Sequence, residues 1–417
     1  MRLLIAAPDL PYPPNSGGRA DVWRRLRVMA SAGAEIFFIA WFDAHVDRAA
    51  RAEAAHALSA HTVATRFFPI HRGVREALVR LTLLPRAPSH AASRRIETDA
   101  HDELLYALRA FDPNLVWIEG LWPAFTARRL ARTLGIQYVY RSHNIEHRYM
   151  AGQAREVRHW RDSLALRVAT VGVNSFELSV LRDARWVFDI SQDDLVYWQR
   201  HNIRHNSLLL PFPGTQPRIL GTPAREASRD VVFFGNLHTP NNISGVEWLL
   251  REIRPIVQRA RPTTRWTLAG SAPVPYIRDL TRTAGQVELL ENVADPYALL
   301  NSARVLVNPV RTGSGLMIKT LDMLMTDAPI VTTPQGVAGL PSYARATFRV
   351  GITTGEFARA ILEELAHPSV DTERRAQLRA ALWQDGGAAI LRELERIRTS
   401  THRPLDNAAW RNAREDR

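Results

Sequence analysis

The chain has 417 residues, with 46% apolar and 23% charged residues, a net charge of +12 and no cysteine. Two or three domains of ordinary globular composition follow from that length, while disulfides and thiolate metal sites are excluded. No apolar run approaches the roughly 18 residues that span a bilayer, and the charge calls for a polyanionic partner (nucleotide phosphates, anionic lipid or nucleic acid) without choosing among them.

The opening MRLLIAAP is too short for a signal peptide and runs into a proline-rich loop. It reads as a first strand, and a cytoplasmic protein is the default expectation. Short apolar runs predict strands at 3–7, 35–41, 63–68, 115–118, 137–140 and 186–189. They lack clean alternation, as in a parallel sheet covered on both faces. Helical segments are expected at 18–31, 47–60, 94–110, 124–134 and 155–182. Strand and helix in alternation make an α/β, doubly wound pattern. Residues 206–229 break it: LLLPFPGTQPRILGTP carries four prolines and two glycines and reads as an interdomain linker. A second alternating series follows, with strands at 231–234, 266–269, 287–289, 305–308 and 330–332. Its helices are expected at 244–259, 275–283, 296–301, 316–325 and 356–366. The domains are therefore drawn as 1–205, 230–371, and a charged helix with a polar tail at 372–417 that can pack back on the first domain. There is no repeat and no G-x-G-x-x-G fingerprint, which argues against a nicotinamide or flavin enzyme. Two Rossmann-like domains would leave a ligand cleft between the carboxyl ends of their sheets.

The stretch 311–334, RTGSGLMIKTLDMLMTDAPIVTTP, organises the second domain. Gly313 and Gly315 permit a tight turn, and a Gly-rich loop feeding a helix is an anion site. Arg311 stands at its mouth and Lys319 one turn in. Lys319 is the single lysine among 54 basic residues. Either it is a remnant on a solvated face, or it supplies a compact point charge for a phosphate where arginine's fork would not fit.

In the first domain Gly17 and Gly18 follow strand one. They form either a plain turn or a close approach to a phosphate or acceptor. RSHNIEH, residues 141–147, follows a strand end facing the cleft, so His143 either points to a ligand there or bonds to backbone. The same letters spell H-x-x-E-H with His143, Glu146 and His147, which would need a third metal ligand such as Glu177 or Glu226. Glu119 and Asp9 also follow strand ends and read as structural, and Trp160, Trp186, Trp198, Trp248 and Trp383 read mostly as core. Residues 71–95, HRGVREALVRLTLLPRAPSHAASRR, interleave arginine with leucine and valine. Such a segment suits either a membrane interface or a helix packed on the domain with a solvated face.

Three stretches carry a family resemblance: PYPPNSGGRADVWRRLRVMA, FFGNLHTPNNISGVEWLLREIRPIV and ENVADPYALLNSARVLVNPVRTGSGLMIKTLDMLMTDAPIVTTPQGVAGL. In that order they resemble the GT-B glycosyltransferases, specifically glycosyltransferase family 4, the glycosyl transferases group 1. The resemblance spans residues 1 to about 365. It implies transfer of a sugar from a nucleotide-sugar donor, with retention of configuration and no required metal or other cofactor. The residues agree on the metal, since no Asp-x-Asp pair stands beside a strand end. Cations and the helix dipole would then hold the diphosphate. The family's two-glutamate motif falls on Ser314 and Asp322. The resemblance implies a ribose contact for Asp322, while Ser314 replaces the acid that meets the donor sugar. His238 and Asn241 occupy the loop where many members carry an arginine and a lysine for the diphosphate. Arg311 and Lys319 match basic positions of a subgroup, and a histidine at the place of His143 contacts the donor sugar. His143, Lys319 and Arg311 are the expected catalytic set; Gly17, Gly18, His238, Asn241, Gly313, Ser314, Gly315 and Asp322 are the expected donor-binding set.

The expected function is a retaining glycosyltransferase that serves surface polysaccharide or glycoconjugate assembly. Its partners would be a nucleotide sugar, a glycan or lipid-linked acceptor and an anionic membrane surface met through residues 71–95. That surface would be the inner face of the cytoplasmic membrane. The rivals are a nucleotide-sugar epimerase of the same fold, an inactive nucleotide-binding member and a nucleic-acid binder, for which no reading motif is present.

Overall fold

The computed structural model describes residues 1–156, 169–213, 228–313, 315–383 and 386–400. The chain divides into two compact units, residues 1–210 with 385–417, and residues 211–384. Each unit holds one parallel sheet.

The first sheet contains β1 (Arg2–Ala7), β2 (Glu35–Phe42), β3 (Ala64–Pro69), β4 (Leu115–Glu119), β5 (Tyr138–Ser142), β6 (Trp186–Asp189) and β7 (Asn206–Leu208). Their order is β3-β2-β1-β4-β5-β6-β7, and every neighbour pair is parallel. Leu3, Leu4, Ile5, Ala6 and Ala7 are all buried because helices cover both faces. The core gathers β-strand residues such as Phe37, Ile39, Val116 and Tyr140 with Leu104, Leu108 and Leu130 from the helices.

The second sheet contains β8 (Arg229–Phe234), β9 (Trp266–Gly270), β10 (Val287–Glu291), β11 (Ala303–Asn308), β12 (Ile330–Thr332) and β13 (Arg349–Val350). Its order is β10-β9-β8-β11-β12-β13, again parallel throughout. Its core joins Val231, Phe233, Val305 and Val307 to Leu249, Ile253, Phe357 and Ile361.

Several boundaries differ from the sequence reading. The linker does not begin at Asn206, because Asn206 and Ser207 are buried in β7 and pair with β6. The single carboxyl-terminal helix is two, Thr372–Trp383 in the second unit and Gly386–Thr399 in the first. Arg375 anchors the former, donating to the carbonyls of Thr326, Ala328 and Thr347. The latter returns to the Gly17–Ser31 helix so closely that a Cβ on Gly387 would lie 2.2 Å from the Val28 carbonyl. Of the helix expected over 155–182, the described parts are Glu146–Glu156 and Val173–Asp183, and residues 157–168 lie outside the described set. The helix expected from residue 244 starts at Pro240 and passes through a π-turn, Leu249–Ile253. The helix expected over 316–325 shrinks to Ile318–Met323.

Candidate functional site

A doubly wound sheet binds ligands beyond the carboxyl ends of its strands, where the strand order reverses. In the second unit that reversal lies between β8 and β11. The loop after β8 runs through Asn236 and His238 into the Pro240–Trp248 helix, and the loop after β11 carries Arg311, Gly313 and Gly315 into Ile318–Met323. Topology thus places both halves of the expected donor site at one switch point.

Glycines let these loops approach. A Cβ on Gly270, at the end of β9, would fall 1.7 Å from the Gly235 carbonyl oxygen, so the loop after β8 passes where only glycine fits. Gly313 and Gly315 both hold positive φ, at 123° and 74°. The Asn241 side chain lies 3.5 Å from where a Cβ on Gly313 would be.

Lys319 joins the two loops. Its Nζ donates to Asn242 Oδ1 at 2.7 Å and stands 4.7 Å over the Phe233 ring. Asn242 in turn donates to the Asn236 carbonyl at 2.8 Å. The side chain keeps some exposed surface, but burial around the ammonium pushes it down to about 7. Among the described residues no carboxylate lies within ion-pair distance of Lys319 or Arg311. Arg311 is exposed, with its guanidinium 4.6 Å over Trp248. Two cations without counter-ions therefore flank the switch point. Sequence reasoning named Lys319 and passed over Asn242, which orients it; the NN pair at 241–242 was the only available signal.

The other expected donor residues are placed as follows. His238 is exposed on the β8 loop. Asp322 is only 6% exposed and accepts a 2.7 Å bond from the Tyr297 hydroxyl, so its carboxylate is already engaged. Ser314 lies outside the described residues. Gly17 and Gly18 are exposed at the start of the Gly17–Ser31 helix, neither with positive φ, and a Cβ on Gly18 would meet nothing within 4 Å. That glycine's conformation would suit any residue.

The first unit has its own switch point, between β1 and β4. Glu119 ends β4, and His143 follows β5. His143 Nε2 lies 3.0 Å from Glu119 Oε2. Glu119 also accepts from Arg25, at 2.6 Å and 2.7 Å from one amino nitrogen, and from Trp117 Nε1 at 2.7 Å. Arg25 continues to Asp21, which meets Arg141. Burial would raise the Glu119 carboxyl, but Arg25, His143 and Arg141 hold it down at about 2. Asp9 is taken by Arg19 at 2.6 Å.

The H-x-x-E-H residues diverge. His147 turns to Glu177 at 2.6 Å, and Glu177 also accepts the backbone N–H groups of Glu146 and His147. Glu177 thus caps the Glu146–Glu156 helix. Among the described residues no group of three or more histidine and carboxylate side chains could hold a metal ion. Trp186, Trp198 and Trp248 are core residues, as expected.

Residues 228–367 match the family model for glycosyl transferases group 1. A Klebsiella pneumoniae protein, described as an uncharacterized 44.6 kDa protein in the cps region, is 21% identical over 81% of this chain and 84% of its own length. Among solved structures, HepE of Anabaena in complex with UDP superposes with a TM-score of 0.63, at 11% identity, over 95% of this chain and 100% of that one. A Staphylococcus aureus TarM variant in complex with fondaparinux, alpha-GlcNAc-glycerol and UDP gives 0.63, at 10% identity, over 96% and 100%. A Listeria monocytogenes protein named provisionally as a UDP-N-acetylglucosamine 2-epimerase gives 0.54, at 11% identity, over 97% and 98%. The fold is that of the GT-B glycosyltransferases, and residues 228–367 carry a glycosyl transferases group 1 domain.

Proposed function

We propose that this glycosyltransferase moves a sugar from a nucleotide-sugar donor to a glycan or lipid-linked acceptor, with retention and without a metal, in surface polysaccharide assembly. The observation that carries the donor assignment is the pair of basic side chains, Arg311 and Lys319, that meet no carboxylate among the described residues at the β8–β11 switch point. A dianionic diphosphate is the counter-ion such a site lacks. The matched family model, the UDP and UDP-glucose bound by HepE, and the cps-region relative support the reading. In this reading the leaving diphosphate takes the acceptor proton on the same face, and the protein acts by positioning and charge stabilisation. Membership of the family 4 subgroup is part of this proposal, as is a peripheral position on an anionic membrane. Among the described residues no helix is long and apolar enough to cross a membrane.

The fold likeness to the Listeria protein keeps one rival, a nucleotide-sugar epimerase. A thermal-shift screen against UDP-, GDP- and dTDP-sugars tests the donor, because bound ligand raises apparent stability. The stabilising sugar nucleotide is then incubated without acceptor. Epimerised donor would support the rival, while unchanged donor that is consumed only on adding glycan or lipid extract supports transfer. No shift with any sugar nucleotide would sink both.

A further inference from the structure

We infer that Glu119 is a positioning residue that fixes the tautomer of His143, so that His143 meets its ligand through an unprotonated Nδ1 and accepts a hydrogen bond from a sugar hydroxyl. This rests on the proposed glycosyl transfer and on the family resemblance, which implies that a histidine at this place meets the sugar.

Glu119 is surrounded by donors. Oε1 takes Trp117 Nε1 at 2.7 Å and Arg25 Nε at 3.1 Å, and the Arg25 amino nitrogen spans both oxygens. A carboxyl so placed stays ionised and can only accept. The contact between Oε2 and His143 Nε2 therefore places the imidazole proton on Nε2, and the neutral ring keeps its lone pair on Nδ1. A buried carboxylate that orients a histidine is the device that makes the opposite ring nitrogen a defined acceptor.

The Nδ1 side is kept clear. Nδ1 makes no hydrogen bond to a described residue, and it is absent from the buried atoms without partners, so it has access to solvent. The His143 side chain is 16% exposed, whereas Glu119 is sealed. Next to it Gly120 has φ +68°, and a Cβ there would press on Nδ1 at 3.3 Å. Any other residue at 120 would be strained and would crowd the one free nitrogen. Glu119 and Gly120 are adjacent in sequence and serve opposite edges of one ring.

The test reads the imidazole directly. Long-range proton–nitrogen correlation of the full-length protein, at a pH where His143 is neutral, is expected to show a protonated Nε2 and a bare Nδ1. Adding the sugar nucleotide should shift Nδ1. A wild-type ring protonated on Nδ1, or an Nδ1 signal indifferent to saturating ligand, overturns the inference and leaves glycosyl transfer standing. In Glu119→Gln the amide can donate to Nε2, so the proton should move to Nδ1. Turnover should then drop about tenfold or more, the scale seen when the carboxylate behind a metal-bound histidine is lost. An unchanged tautomer with wild-type turnover in that variant also overturns it. Should Glu119→Gln not fold, Gly120→Ala carries the second arm, with loss of turnover expected and wild-type turnover counting against. Failure of every sugar nucleotide to bind would instead remove the functional reading itself.

Discussion

Lys319 Nζ donates to Asn242 Oδ1 at 2.7 Å, across 77 residues of chain, and among the described residues meets no carboxylate. In the proposed reading, this lysine, held by a neutral amide and an aromatic face, is the group that meets the diphosphate. Burial depresses it from the ordinary 10.5 to about 7. The unfolded chain keeps that proton up to 10.5, so between about 7 and 10.5 it binds more protons than the folded state. Lys319 therefore costs stability in full below pH 7, and stability rises as pH climbs through that window. A bound diphosphate reverses the preference and pulls the proton back. Affinity for a sugar nucleotide is thus expected to be greatest below pH 7 and to fall above it, by at most about tenfold per pH unit. Calorimetry at pH 8 in two buffers of different ionisation enthalpy should record proton uptake in wild type and none in Lys319→Met. Equal, proton-free binding in both would detach Lys319 from the phosphate.

The same geometry predicts that Lys319→Arg damages turnover although the charge is kept. The ammonium lies 3.4 Å from where a Cβ on Gly235 would stand, and that spot is also 3.2 Å from the Phe233 ring. A planar guanidinium cannot enter that corner and keep the bond to Asn242. A fall of about tenfold or more in kcat is expected, and turnover equal to wild type would make Lys319 a remnant of composition.

Much of this was legible in the sequence, and what escaped it has a common cause. Buried parallel strands announce themselves as apolar runs, and both strand series were found that way. β7 was missed because its three residues include Asn206 and Ser207, polar groups that burial tolerates only once Asn206 bonds to Asp189 and Ser207 to Trp186. Those partners are 17 and 21 residues away. Gly-rich loops and lone charges can be read locally. The Asn242–Lys319 and Arg25–Glu119 contacts cannot, since they span 77 and 94 residues and exist only after the sheet orders its strands. Asp322 shows the converse. Its place in the motif suggested an open carboxylate, and only packing reveals Tyr297 against it.

Asp322→Ala is expected to lower both nucleotide affinity and thermal stability, by about 1–3 kcal/mol each, because a buried charge-assisted bond is lost with the ligand contact. Tyr297→Phe separates the two effects. Removing its hydroxyl takes one bond from the carboxylate while leaving the charge, so affinity should change less than stability. Isothermal binding and thermal unfolding on both variants give the answer. Unaltered nucleotide affinity in Asp322→Ala would withdraw this residue from the donor site.

Activity should survive EDTA. The charge that a divalent ion would supply to a diphosphate is supplied in this proposal by Arg311 and Lys319. Transfer assays with and without chelator, followed by added magnesium, manganese or zinc, measure this. Loss on chelation with recovery on metal would mean that the two cations do not suffice.

The segment 71–95 is proposed to meet an anionic membrane, and the structure narrows which residues would do so. Arg72 pairs with Asp43, Arg95 with Glu76, Arg94 donates to the Pro8 and His90 carbonyls, and Arg80 to the His71 carbonyl, so four of its six arginines are engaged within the unit. Leu83 packs against the core and is no surface anchor. What faces outward on the Val74–Leu83 helix is Leu78, 63% exposed, and Leu81, 56% exposed, with Arg75 one turn before Leu78. Positions three apart share a face, so apolar and cationic groups stand together there. Each surface arginine contributes up to about 1 kcal/mol near an anionic leaflet, screened by salt, while burial of leucine is a separate, salt-insensitive contribution. Co-sedimentation should therefore retain the protein on anionic vesicles at low salt and less at moderate salt. Leu78→Ser with Leu81→Ser should weaken retention even at low salt, without lowering the unfolding temperature, since neither side chain is part of the core. Retention by no vesicle at any salt would make this face ordinary solvated surface, and a soluble acceptor would become the better assignment.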